Sequence, residues 1–129
     1  MPTSWREPNA ARWVGVRPAH NGVQVTARAT KAGGSQIIYT VPADKILYLI
    51  WVYLWGASTS GVGDIFLRDA EDTLVMYLAA WVDTAGSAKG GTMFQPAFPL
   101  EVPEGYDIVL EAGAGATFHG EMFGWLEDA

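Results

Sequence analysis

From Gln36 onward, short apolar and alternating runs are separated by Gly, Pro, Asp and Ser, and no segment sustains a 3.6-residue hydrophobic period. The pattern predicts strands near 36–41, 45–56, 64–69, 73–82, 91–95, 98–102, 106–112 and 115–126. A helix around 70–77 is the one competing assignment, and the short apolar stretch Leu74 to Leu78 favours a strand there. Eight short strands at this spacing point to an all-β sandwich or barrel, and the repeated corners Val41-Pro42 and Val102-Pro103 favour an eight-stranded jelly-roll-like β-sandwich over another sandwich or barrel.

Ile46 to Trp55 departs from simple alternation. It reads I-L-Y-L-I-W-V-Y-L-W, with no polar break. Its aromatic and β-branched content favours a strand, and it is half the roughly 20 residues that a membrane-crossing helix needs. A strand apolar on both faces needs cover on both, from the protein's own core on one side and from a second layer or subunit on the other.

An internal echo gives this run a phase. Val41-Pro42-Ala43-Asp44-Lys45 followed by Ile46-Leu47-Tyr48-Leu49 matches Val102-Pro103-Glu104-Gly105-Tyr106 followed by Asp107-Ile108-Val109-Leu110. Each copy is a strand end, a Pro-led turn and a new strand. In the later copy Tyr106, Ile108 and Leu110 alternate with Asp107, Val109 and Glu111, so the first set should face the core. Transferred to the earlier copy, this places Leu47, Leu49, Trp51, Tyr53 and Trp55 inward. Ile46, Tyr48, Ile50, Val52 and Leu54 then point outward as a candidate interface row. Covering that row would remove on the order of 250–400 Å2 of apolar surface, worth at most roughly 6–10 kcal/mol.

The first residues differ in character. Pro2, Pro8 and Pro18 interrupt them, Asn21-Gly22 is a turn signal between the extended pieces 12–17 and 23–28, and Lys31 to Ser35 reads as a flexible joint. This divides the chain into an extended basic N-terminal arm, 1–34, with a possible hairpin, and a sandwich body, 35–129. Charge follows the division. Within a net charge of −6, residues 1–31 carry five basic residues against Glu7 alone, a net +4, and the rest carries −10. Trp5, Arg6, Arg12, Trp13 and Arg17 give the arm a composition enriched at protein interfaces, and they complete the candidate interface set. Thinly spread basic residues beside an acidic body do not suit nucleic acid. No segment reaches transmembrane-helix length, no signal peptide is evident at the N-terminus, and there is no cysteine.

Catalytic patterns are missing. His119 and Glu121 share one strand face without a third ligand, and His20 precedes a turn. No G-x-S-x-G elbow occurs, Gly86 to Gly91 lacks Walker order, and the carboxylates Asp64, Asp69, Glu71, Asp72 and Asp83 sit mostly in turns. The expectation is a non-enzyme with no catalytic residue, cofactor or metal. Six tryptophans keep an aromatic sugar-binding platform open, with Trp81 the leading candidate.

Tyr39 to Lys45, Leu47-Tyr48-Leu49, Pro99 to Gly105 and the ending Gly124-Trp125-Leu126-Glu127 resemble small accessory structural proteins of tailed bacteriophages. There the turns often read V-P-A-G-K and the tail G-W-E-E; here Asp44 takes the place of the glycine and Leu126 interrupts the ending. The resemblance spans roughly 36–127. It implies a β-sandwich subunit, commonly a homotrimer, that decorates or cements a capsid by bridging major capsid proteins in the virion. A carbohydrate- or receptor-binding module of a neck, tail or fibre is the alternative.

Overall fold

The computed structural model describes residues 22–57, 61–83 and 90–129. Among these residues there are seven strands: β1 (Val23–Thr40), β2 (Lys45–Gly56), β3 (Gly61–Arg68), β4 (Leu74–Asp83), β5 (Gly91–Phe94), β6 (Leu100–Val102) and β7 (Asp107–Asp128). All pairings are antiparallel, and the order along the sheet is β4-β3-β7-β2-β5, with β1 on β7 and β6 on β2.

β7 organises the sandwich. Its first part, Asp107 to Ala112, lies between the end of β1 and β3. Its second part, from Phe118 on, lies between the start of β1 and β2. The partner changes across 113–116, where β1 also breaks register between Ala32 and Gly34. Positive φ angles at Gly33, Gly34 and Gly115 let both strands turn that corner together. The curled sheet thus closes into two layers that share β1 and β7, and β2 packs near β3 and β4 without pairing to them.

The fold class matches the sequence expectation, with roughly seven strands in place of eight. Two expected strands, 106–112 and 115–126, are one strand. The expected joint at Lys31 to Ser35 is also strand, because β1 runs through it paired to β7. Residues 23–34 therefore belong to the body, which corrects the arm boundary at 34. The proposed partner strand 12–17 and Asn21 lie outside the described residues.

The echoed turns adopt equivalent conformations side by side. Asp44 and Gly105, at matching positions, have φ of 62° and 80°. Lys45 N donates to Pro42 O and Tyr106 N to Pro103 O, both at 3.3 Å. The turns are tied together by Val41 N to Tyr106 O and Gly105 N to Val41 O, each 2.9 Å.

The core lies between the layers and holds Leu47, Leu49, Val52 and Leu54 of β2, Ile65 and Leu67 of β3, and Ile108, Leu110, Phe118 and Met122 of β7. Phe118 fits because Gly63 faces it: a Cβ there would stand 2.5 to 2.6 Å from its ring carbons. A polar clamp spans three strands in the other direction. Buried Asp107 accepts from Thr40 Oγ1 of β1 and, at 2.9 Å, from Arg68 Nε of β3.

Candidate functional site

The greasy strand β2 does not keep one phase. Leu47 and Leu49 face the core as expected, but the pairing with β7 slips between Leu49 and Trp51, leaving Ile50 as a bulge. Across the bulge sits Gly124, where a Cβ would lie 2.6 Å from Tyr48 O and 2.9 Å from Leu47 Cδ1. Beyond it the faces are exchanged. Val52 and Leu54, both 0% exposed, enter the core, and Trp51, Tyr53 and Trp55 turn outward. This corrects the outward row. Val52 and Leu54 are core residues of their own chain, Ile50 and Tyr48 are buried, and only Ile46 is half-exposed. The other five expected interface residues, Trp5, Arg6, Arg12, Trp13 and Arg17, lie outside the described residues.

The exchange puts an aromatic ladder on the outer face of the β1–β7–β2 layer. Trp51 stacks on Phe123 with centroids 5.9 Å apart, Phe123 meets Trp125 edge-on at 6.0 Å, Tyr53 stacks on Trp55 at 5.0 Å, and Trp55 lies 4.9 Å from His119. Polar side chains of β1 border it. Thr30 Oγ1 and His119 Nδ1 are 2.6 Å apart, and Arg28 reaches Glu121 at 3.4 Å. Thr26, Ala27, Arg28, Trp51 and Glu121 line a groove of about 370 Å3. Alternation in 23–28 and the shared face of His119 and Glu121 were legible in the sequence; the outward turn of Trp51 was not.

The outer face of the β4–β3–β7 layer is different. Ile37, Val62, Tyr77 and Val82 are 43, 52, 57 and 62% exposed. Between β3 and β4 lies a cavity of about 560 Å3 lined by Val62, Gly63, Asp64, Tyr77, Ala80, Trp81 and Val82. Its one charged wall among the described residues is Asp64, which stands on β3, in the strand that the sequence predicted over 64–69. In register it pairs with Ala80 on one side and Glu111 on the other. Asp64 Oδ1 is buried with no hydrogen-bond partner. Burial, reinforced by the nearby Glu111 charge, pushes the Asp64 carboxyl up to about 6.

The other singled-out groups serve the fold. Asp69 Oδ1 accepts from Glu71 N and Thr73 N, both 2.9 Å, and so closes the β3–β4 turn. Trp81 is half-buried against the core, and its Nε1 donates to Asp83 Oδ1 at 2.8 Å.

No family model and no curated protein matches the chain. Among solved structures it is similar to a subunit from Bacillus endospore appendages, described as disulfide-linked pili (16% identity, covering 88% of this chain and 94% of that one, TM-score 0.37). It is also similar to a chain of infectious bursal disease virus, Gx strain (12%, 90% and 40%, TM-score 0.33), and to the arabinofuranosidase MgGH51 (17%, 81% and 19%, TM-score 0.31).

Proposed function

We propose that the chain is a non-enzymatic structural subunit that works as a homo-oligomer, in the finer reading a trimeric decoration or cement protein of a tailed-phage virion. The observation that carries the assembly reading is the apolar outer face of the β4–β3–β7 layer. Val62, Tyr77 and Val82 are exposed around a cavity and Ile37 is exposed on β1, a surface that costs free energy in water until a partner covers it. The finer reading draws on the resemblance of the Val-Pro turns and the Gly-Trp ending. In it, the basic arm reaches the major capsid protein or a sister subunit, and binding stabilises the assembled shell because only that form offers the site.

Light scattering and sedimentation of the full chain test this reading. The wild type should form a discrete oligomer, and Val62→Lys with Val82→Lys should shift it toward monomer while leaving the fold intact. A wild type that stays monomeric at all concentrations and does not co-sediment with capsids would end it.

A second reading rests on the Trp51 groove. An aromatic face beside a paired arginine and glutamate and a threonine hydroxyl suits a sugar ring, which offers C–H groups to one side and hydroxyls to the other. Glycan-array binding that vanishes in Trp51→Ala, and survives in Trp81→Phe, would favour it.

A further inference from the structure

Among the described residues, the cavity between β3 and β4 is apolar on every side but one. Val62, Tyr77, Ala80, Trp81 and Val82 supply the walls, and Asp64 supplies the one charge. Such a site suits a cation on an apolar or planar stem, because a bare ammonium ion would gain little from the walls and a neutral apolar group would leave the carboxylate unpaired. Glu111, next to Asp64 across the β3–β7 pairing, adds a second negative charge at the rim. Among the described residues Asp64 Oδ1 is buried without a donor, and burial, reinforced by the Glu111 charge, makes its carboxyl resist ionisation.

Among its described residues the body has little to offer as that donor. Arg28 is paired with Glu121, Lys45 with Asp128, and Arg68 with Asp107, while Lys31 lies on β1 opposite Phe118 in the other layer. Outside the described residues, the first 21 positions hold Arg6, Arg12 and Arg17 against Glu7, with Trp5 and Trp13 beside the first two arginines. That stretch carries the charge and the apolar rings the cavity lacks. β1 begins beside Leu126, in the layer that faces away from Asp64, so an arm of the same copy must travel round the sandwich, whereas a neighbouring copy's arm can meet the face directly.

We infer that the cavity at Asp64 receives an arginine side chain from residues 1–21 of a second copy, with the guanidinium on Asp64 and a tryptophan of the arm against Val62, Tyr77 and Val82. The inference rests on the assembly reading and names its contact.

Four full-length variants decide it: Asp64→Asn, the triple change Arg6→Gln, Arg12→Gln and Arg17→Gln, the two combined, and Lys89→Gln as a control for the cation between β4 and β5 in sequence. Folding is checked by circular dichroism and association by sedimentation. Asp64→Asn and the triple variant should each weaken association tenfold or more, and the combination should be no worse than either alone. Mixing the Asp64→Asn chain with the triple variant should restore association in part, because one chain keeps the arm and the other the cavity. The carboxyl of Asp64, followed by carbon NMR, should titrate well below 6 in the wild-type oligomer and near 6 in the triple variant. Wild-type association of Asp64→Asn overturns the inference while leaving the assembly reading intact. Absence of any restoration on mixing overturns the second-copy origin, and an effect of Lys89→Gln equal to that of Asp64→Asn makes the cation a lysine of the same chain. A monomeric wild type overturns both readings.

Discussion

Single atoms decide two features of this sandwich. Gly63 leaves room for the Phe118 ring, so Gly63→Ala forces the largest core side chain from its place. We expect a loss of about 1–3 kcal/mol in urea unfolding, with the fold retained. Asp107 joins β1, β7 and β3 through Thr40 and Arg68, and Asp107→Ala strands both donors. Arg68 keeps Asp72 at 3.5 Å as a second partner, so the expected cost is about 2–3 kcal/mol rather than the full cost of an orphaned buried charge. Asp64 acts in the opposite sense. Its pKa is raised on folding to about 6, so the folded chain holds the proton more tightly than the unfolded chain does. Asp64 therefore favours folding most when protonated. As pH rises from its unfolded value near 4 to about 6, that contribution is lost, and above about 6 its effect is constant. Asp64→Asn should flatten this part of the pH profile of Tm under monomeric conditions, and an unchanged profile would place the titration elsewhere.

At the scale of the element, the bulge in β2 matters most. Deleting Ile50 removes the extra residue and leaves Leu49, Val52 and Leu54 facing the core in unbroken alternation, so the shortened chain should still fold, whereas deleting Val52 with the bulge in place would turn Leu54 outward and should prevent folding. Leu54→Asp should prevent folding, while Tyr53→Ala, one residue away on the outer side, should keep a cooperative unfolding transition. The sequence carried the right phase as far as Leu49, because the Val-Pro echo aligned two real turns and Ile108 and Leu110 do face inward. It could not carry the phase past Ile50. The slip is enabled by the missing Cβ of Gly124, a residue more than seventy positions away whose pairing only the folded sheet reveals. The same limit hid the unity of β1 and of β7. Gly33-Gly34 and Gly113 to Gly115 look like joints in a one-dimensional reading, yet in an antiparallel ribbon they let two strands bend together. Of the candidate site, the aromatic wealth and the acidic body were legible. The emergence of Trp51 and the placing of Asp64 in an apolar wall depend on registers between distant strands.

The whole molecule divides into two dissimilar outer faces around one core. The aromatic face rests its rings on one another, edged by Arg28 and Glu121. The β3–β4 face leaves aliphatic side chains open around an acid. If arginine-to-aspartate contacts hold the assembly, salt alone should weaken it only modestly, because walls of low polarity shield the pair from screening ions. Sedimentation between 50 mM and 500 mM salt checks this: an oligomer that falls apart steeply over that range belongs to exposed charges instead.

β7 has a further consequence. Neither layer is complete without it, since β3 and β2 hang on successive parts of the same strand. Its amide protons should accordingly be the last to exchange with deuterated solvent, and those of both its parts should exchange together, at the rate of complete unfolding. The first and last described strands must find each other before the sandwich can close, since β1 and β7 pair across nearly the whole described sequence. Refolding after dilution from denaturant should therefore take milliseconds to seconds, in one step without a half-built sandwich.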